Sequence, residues 1–311
     1  MKVLVTGCAG HLARALLPRL CAHPGVERVI GVDLAPCALS LPNFTAHRLD
    51  LRSDRLLPLL HGCDAVIHLA FVVMGIPGRR YDRAEARAIN VGGTTALCER
   101  AARAGVRHLI HLSSAAVYGA WPDNPARITE NHALRPMPGF PYAEDKVAVE
   151  TWLDEFQAGH LALRVVCLRP HAIIGPHAQP LLNSLLRQPF YPRLPAPLPL
   201  TQCVWEDDVA EAILRALSGA ARGGFNIAAD PPLTFRDMLR AAHRRTYPVP
   251  FFAARAALRA AWRRTSGGAP AGWIEGLRHS LVLDCTRAQR ELGWQARLNM
   301  YDCLRRLSGT K

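Results

Sequence analysis

The chain has 311 residues, half of them hydrophobic and a fifth charged, which is enough to bury a full α/β core with a smaller second lobe. Its formal charge of +13, largely arginine, suits phosphates, acidic ligands or anionic surfaces, but no recognition motif accompanies it, so nucleic acid is not expected as a partner. No apolar run reaches the ~18 residues of a membrane span, the opening Met-Lys-Val-Leu-Val-Thr-Gly is unlike a secretory signal, and nine scattered cysteines without a Cys-x-x-Cys pair predict free thiols, a cytoplasmic setting and no metal site.

In chain order, Lys2–Thr6, Val29–Asp33, Ala65–Ala70, Val106–Leu112 and Leu163–Leu168 are short runs rich in Val, Ile and Leu, the mark of buried strands. Between them, Leu12–Cys21, Tyr81–Ala104 and Ala143–Phe156 are long enough for helices. This alternation predicts an α/β fold, a doubly wound parallel sheet of the Rossmann type over residues 1–170, with ligands beyond the carboxyl ends of its strands. After Pro170, seven prolines from Pro176 to Pro199 break the pattern, and helices are expected again at Asp208–Ala221, Thr234–Arg245 and Phe251–Arg264. Residues 171–311 are therefore expected to form a smaller α/β substrate-binding lobe, with one strand returning to the main sheet as an alternative.

Two constellations carry chemistry. Thr6-Gly7-Cys8-Ala9-Gly10-His11-Leu12-Ala13 follows the first strand, and glycines at such a turn let the backbone approach a pyrophosphate seated on a helix N-terminus. Ala13 replaces a third glycine, which this fingerprint tolerates. Asp33 ends the second strand, where an acid accepts from ribose hydroxyls and repels a 2′-phosphate; that favours NAD, with NADP as the alternative.

The second constellation is Ser113-Ser114-Ala115-Ala116-Val117-Tyr118-Gly119 after a strand, with Tyr142-Ala143-Glu144-Asp145-Lys146 opening a helix. Positions i and i+4 share a helix face, so Lys146 is expected beside Tyr142, lowering the phenol's pKa from about 10. A tyrosinate can act as general base toward an alcohol, and a serine hydroxyl on the substrate oxygen would complete the site.

With these residues in place the chain resembles the extended branch of the short-chain dehydrogenase/reductase superfamily, the NAD-dependent epimerase/dehydratase family, over essentially its whole length. The resemblance implies Ser114, four residues before Tyr118, as the catalytic serine, with Ser113 the alternative, beside Tyr142 and Lys146. It places Asp50 and Leu51 at the adenine, and His68, Leu69 and Ala70 along the cofactor. It further implies cofactor contacts from Gly7, Ala9, Gly10, His11, Leu12, Asp33, Asn90, Tyr142, Lys146 and Pro170. Val204–Ala210 and Leu292-Gly293-Trp294 resemble family landmarks of the second lobe. Many relatives dimerise by pairing two helices per subunit, so a homodimer through Tyr81–Ala104 and Ala143–Phe156 is expected.

The substrate is a small molecule of one of two classes. Nucleotide-sugar epimerases and dehydratases carry an asparagine where this chain has Ala172, in Leu168-Arg169-Pro170-His171-Ala172-Ile173-Ile174-Gly175-Pro176. The same loop is similar to Arg-Pro-His-Gly-Ile-Phe-Gly-Pro of sterol-4α-carboxylate 3-dehydrogenases, relatives of the 3β-hydroxysteroid dehydrogenases. That points to a lipid or sterol substrate touched by Ser114 and His171, with a catalytically silent dinucleotide sensor as the reading from another class. Arg240, Arg244, Arg245, Arg255, Arg259, Arg263 and Arg264 form a stretch without acids, and Phe251–Arg264 reads as an amphipathic basic helix. Such a helix either lies peripherally on a membrane or packs on the second lobe.

Overall fold

The computed structural model describes residues 1–73, 82–178, 198–242 and 278–308, together with the backbone at 190–193 and 245–248 and single positions between 250 and 256. Seven parallel strands form the main sheet: β1 (Lys2–Thr6), β2 (Arg28–Asp33), β3 (Phe44–Arg48), β4 (Ala65–His68), β5 (His108–Leu112), β6 (Arg164–Pro170) and β11 (Gly223–Ile227). They lie in the order β3-β2-β1-β4-β5-β6-β11, so the winding direction reverses between β1 and β4. Sheets wound in this way bind their ligands at that switch point, beyond the strand ends.

Alternation along each strand feeds two cores. Val3, Val5, Ile67, Ile110, Val166 and Leu168 face helix α1 (His11–Cys21) and the helix Glu206–Ser218, which add Leu16, Leu17, Leu20, Val209 and Ile213. Leu4, Val32, Val66, Leu109 and Val165 face the opposite way, onto α2 (Leu56–Leu60), α4 (Gly93–Arg103) and α5 (Pro141–Gly159). Burial of both faces is what makes these strands continuously apolar.

The predicted helix Tyr81–Ala104 is interrupted. A short helix α3 (Arg83–Arg87) passes through one π-helical turn, Ala88–Gly92, into α4, and Tyr81 lies outside the described residues. Strand β4 stops at His68, two residues earlier than predicted, because Leu69 and Ala70 turn against Gly7. Edge strand β3 had no Val or Ile to announce it.

Beyond Pro170 the small strands pair as β7 (Ala172–Ile174) with β10 (Cys203–Trp205), β9 (Leu200–Thr201) with β12 (Leu233–Thr234), and β8 (Phe190–Arg193) with β13 (Arg245–Pro248). A third core of Ile174, Trp205, Met238, Met300 and Leu304 lies beneath the first two pairs. Strand β11 crosses back to pair with β6, so the chain after residue 170 is interleaved with the sheet. The helix predicted at Thr234–Arg245 ends at Ala241, and Arg245 belongs to β13. The predicted helix Phe251–Arg264, with Arg255, Arg259, Arg263 and Arg264, lies almost wholly outside the described residues, as does Arg244. No helix among the described residues is long and apolar enough to cross a membrane, and all nine cysteines are free.

Candidate active site

The glycine turn sits at the switch point. Gly7 takes φ +73°, and a Cβ there would lie 2.6 Å from the Ala70 backbone nitrogen, so two backbone segments meet at van der Waals range only because the side chain is missing. The Gly7 N–H donates to Val32 O at 2.8 Å and the Gly10 N–H to Gly7 O at 3.0 Å. Gly10 precedes α1, whose first N–H groups receive no side-chain cap and have no acid in the first turn. An uncapped helix N-terminus approached by side-chain-free backbone fits a dinucleotide pyrophosphate. His11 and Leu12 open that helix, and Ala13 is fully buried beneath it.

Asp33 stands at the end of β2. Its Oδ2 accepts from the Ala9 N–H at 3.0 Å and its Oδ1 from the Ala35 N–H at 2.9 Å, which aims the carboxylate along the glycine turn and leaves each oxygen a further acceptor position. These groups fit an adenosine ribose. Asp50 is gripped by the Arg52 guanidinium, which holds the carboxyl below its ordinary pKa, and Leu51 is buried.

His68 is sealed between two threonines, Nδ1 at 2.7 Å from Thr6 Oγ1 and Nε2 at 2.8 Å from Thr94 Oγ1. Burial drives its pKa down to about 3, so it is a neutral structural link and its ring is spent. It stacks on His111, also fully buried and neutral.

Asn90 occupies the π-helical turn. Its Oδ1 accepts from the Val72 N–H at 2.7 Å, while Nδ2 donates to Val72 O at 3.0 Å and to Asp145 Oδ2 at 3.1 Å. Both amide hydrogens are used, so Asn90 holds the segment after β4 and has no donor left for a cofactor. Asp145, itself buried, also accepts from Arg83 at 2.7 and 2.8 Å and from Arg87 at 3.0 Å.

The serine pair follows β5 and divides its work. Ser113 is buried and its hydroxyl donates to Glu150. Ser114 caps the short 3-10 turn Ala115–Val117, accepting from the Ala116 N–H at 3.2 Å, and its hydroxyl lies close enough to the Tyr142 phenol to pull the phenol's pKa down. Glu150 is also held by Arg169, which fits because Gly224 on β11 has no side chain: a Cβ there would lie 2.7 Å from the guanidinium carbon. Arg169 further donates to the Tyr118 hydroxyl at 2.7 Å, which in turn donates to Asn226 at 2.8 Å.

Lys146 is buried one helical turn after Tyr142, with Nζ donating to Leu112 O and lying 5.8 Å from the Tyr142 ring centroid. The expected depression of the Tyr142 pKa is not what this site produces. Burial raises the phenol's pKa, opposed by the Ser114 hydrogen bond, and the same burial lowers Lys146 to about 7. A desolvated ammonium at that distance does not offset the desolvation of the phenolate.

His171 lies beyond Pro170 with both nitrogens engaged. Nδ1 accepts from the Ala172 N–H at 2.8 Å, which leaves the Nε2 hydrogen to donate to Leu281 O at 3.2 Å, and burial lowers its pKa to about 4. It ties β7 to the chain before Leu283 and offers no free donor to a substrate.

The structure thus brings the glycine turn, Asp33, Ser114, Tyr142 and Lys146 to the same end of the sheet, and His68, Asn90, Ser113 and His171 have their polar side-chain atoms engaged within the fold. Phe71, Asp145, Glu150 and Arg169 belong to the same assembly and were not singled out from the sequence.

Residues 3–228 match the family described as NAD dependent epimerase/dehydratase. Uncharacterized protein Rv0501 of Mycobacterium tuberculosis is 30% identical, over 94% of this chain and 79% of its own length. Sterol demethylase protein B of Methylococcus capsulatus is 33% identical over 57% of this chain and 52% of its own length. Among solved structures, MoeE5 in complex with UDP-glucose and NAD is 26% identical and superposes with a TM-score of 0.77 over 99% of this chain and 98% of that one.

Proposed function

Because the chain belongs to the NAD dependent epimerase/dehydratase family, we propose that it oxidises a secondary alcohol to a ketone with NAD, using Ser114, Tyr142 and Lys146. What carries this reading is the influence of the Ser114 hydroxyl on the Tyr142 phenol, one helical turn from a buried lysine and on the same end of the sheet as an uncapped glycine turn. Bound NAD supplies the hydride acceptor. Ser114 orients the alcohol oxygen by hydrogen bonding, and Tyr142 takes the hydroxyl proton at its phenolate oxygen. Lys146, when charged, favours that phenolate electrostatically. The raised phenol pKa makes the protonated form the resting state, which suits proton donation in the reverse direction. Tyr142→Phe should lower turnover by about 10²–10⁴-fold while leaving NAD binding intact; unchanged turnover would remove Tyr142 from the reaction, and NAD binding without turnover in the unaltered protein would point instead to a dinucleotide sensor.

The substrate class we favour is a carboxylated 3β-hydroxysterol. The loop Arg169–Pro176 supports it, with Ala172 where nucleotide-sugar enzymes carry an asparagine, and so does the partial similarity to sterol demethylase protein B. Oxidation at C3 would give a β-keto acid, which loses carbon dioxide readily. The full-length likeness to MoeE5, which binds UDP-glucose, favours a nucleotide sugar as the second reading. Purified protein given NAD and a 4α-carboxy-3β-hydroxysterol separates them: stoichiometric NADH with loss of carbon dioxide supports the first. Conversion of UDP-glucose without NADH release, and none of the sterol, replaces it with the second. We also propose a homodimer through α4 and α5, supported by the partly exposed Trp152–Phe156 stack at 4.5 Å on α5; a monomeric mass in light scattering would remove it.

A further inference from the structure

Lys146 is 2% exposed and carries three N–H donors, yet among the described residues no carboxylate lies within ion-pair distance of its ammonium. It meets one backbone carbonyl, Leu112 O, and the face of the Phe71 ring, whose centroid is 3.5 Å from Nζ. Phe71 also stands edge-on to Tyr142, with ring centroids 5.6 Å apart and planes at 90°. One aromatic ring therefore touches both members of the Tyr142–Lys146 pair.

The ring is held there by its neighbour. Asn90 grips Val72 at both its N–H and its C=O, and Asn90 is fixed in turn by Asp145. Asp145 precedes Lys146 in α5. The contacts close on themselves: Lys146 to Phe71, along the chain to Val72, across to Asn90, to Asp145 and back to Lys146. A clasp of this kind fixes the position of the ring relative to the ammonium.

We propose that Phe71 is a positioning residue for Lys146, its π face holding the lysine as an ammonium beside Tyr142. The face of an aromatic ring attracts a cation, and the attraction is greatest where water is excluded. Several groups bear on the same ammonium. Glu150 and Asp145 on α5 favour its charge, as Cys167 on β6 would if ionised, whereas His68 on β4 and His111 on β5 oppose it if protonated. Burial is the largest influence and works against the charge. Phe71 offsets part of that burial without bringing a second charge to the active site.

The role of Lys146 in turnover rests on the proposed oxidation, but the contact can be tested without turnover. The chain contains three lysines, Lys2, Lys146 and Lys311, so lysine labelled with 13C at Cε gives three NMR signals in the free, full-length protein, and Lys146→Arg identifies the one of interest. The Lys146 signal should titrate below the other two. Phe71→Leu should shift its midpoint down by about one pH unit, a tenfold loss of proton affinity. 3,4,5-Trifluorophenylalanine at position 71, which keeps the ring's shape and withdraws its electron density, should shift it in the same direction, and Phe71→Trp should restore it.

A midpoint that stays in place in the trifluoro protein overturns the proposal, whether or not Phe71→Leu folds. If the midpoint moves as expected while Tyr142→Phe retains full turnover, the proposed reaction fails and the Phe71 contact stands.

Discussion

Arg169 and Glu150 form a buried ion pair behind the serine pair, with guanidinium Nη2 and Nε at 2.7 and 3.0 Å from Oε2. Breaking such a pair from one side leaves an uncompensated buried charge, whereas replacing both partners by apolar groups removes both desolvation costs. Glu150→Gln should therefore destabilise the fold by about 3–5 kcal/mol in urea melts, and Arg169→Met/Glu150→Leu by less than either single change. A double variant as weak as the sum of the singles would contradict this account.

The two serines should separate cleanly. Ser113 spends its hydroxyl on Glu150, so Ser113→Ala should act on stability, by about 1–3 kcal/mol, with little effect on turnover of the folded enzyme. Ser114→Ala removes the hydroxyl that acts on the Tyr142 phenol and should cut turnover by about 10²-fold at nearly unchanged stability. Parallel melts and initial rates decide the assignment; the opposite pattern would make Ser113 the catalytic hydroxyl.

Gly7 and Gly62 have nearly the same backbone, φ +73° and +69°, in different surroundings. A Cβ at Gly62 meets nothing within 4 Å, so Gly62→Ala should cost only the conformational penalty of about 1–2 kcal/mol. At Gly7 the same atom collides with the Ala70 backbone, so Gly7→Ala should cost clearly more and weaken NAD binding measured by calorimetry. Equal costs at the two positions would show that the Gly7–Ala70 approach is not what the glycine protects.

Lys146 should be a stability cost. Its folded pKa of about 7 lies below the ordinary 10.5, so between those values the unfolded chain binds a proton that the folded one does not. Stability from this group therefore falls as pH drops from about 10.5 to about 7 and is level below. Lys146→Met should stabilise the protein at pH 7 by a few kcal/mol, on the order of the pKa difference at about 1.4 kcal/mol per unit, and this advantage should fade toward pH 10. A destabilised Lys146→Met at pH 7 would refute it.

Two buried histidines and one half-buried one set the acid limit. His68 and His171, with pKa values of about 3 and 4, and His111, also lowered, stay neutral in the fold while the unfolded chain takes up protons below pH 6.5. Stability should fall as pH drops from 6.5 toward 4, by about 1.4 kcal/mol per pH unit for each histidine. His171→Asn should flatten that slope by about one histidine's share between pH 6 and 4.5, read from urea melts at stepped pH.

The doubly wound sheet and most of its strands were legible because both faces are covered, which writes uninterrupted apolar runs into β1, β2, β4, β5 and β6. The glycine turn and the Tyr142–Lys146 spacing were legible for a similar reason, each being a local pattern within one turn of chain. What stayed hidden is non-local. Nothing around Asn90 announces a π-helical turn, and its grip on Val72 joins segments 18 residues apart in sequence. Phe71 reads as one more apolar residue after a strand, and its contact with Lys146 depends on how the start of α5 meets the segment after β4. His68 and His171 looked like ligand-facing residues because sequence position shows proximity to the crevice but not which atoms are already spent. The phenol's raised pKa likewise follows from burial that spacing cannot report.

The pairing of β11 with β6 also bears on how the protein is born. Strand β6 is complete at Pro170, yet its outer edge stays open until Gly223–Ile227 emerges from the ribosome, roughly 50 residues and about 3–10 s later at ordinary elongation rates. During that interval an apolar strand edge, Val165 to Leu168, is a template for pairing with another nascent chain. Assembly of the sheet is thus gated by synthesis of its last strand, and slowing translation between those two segments should raise the demand for chaperones.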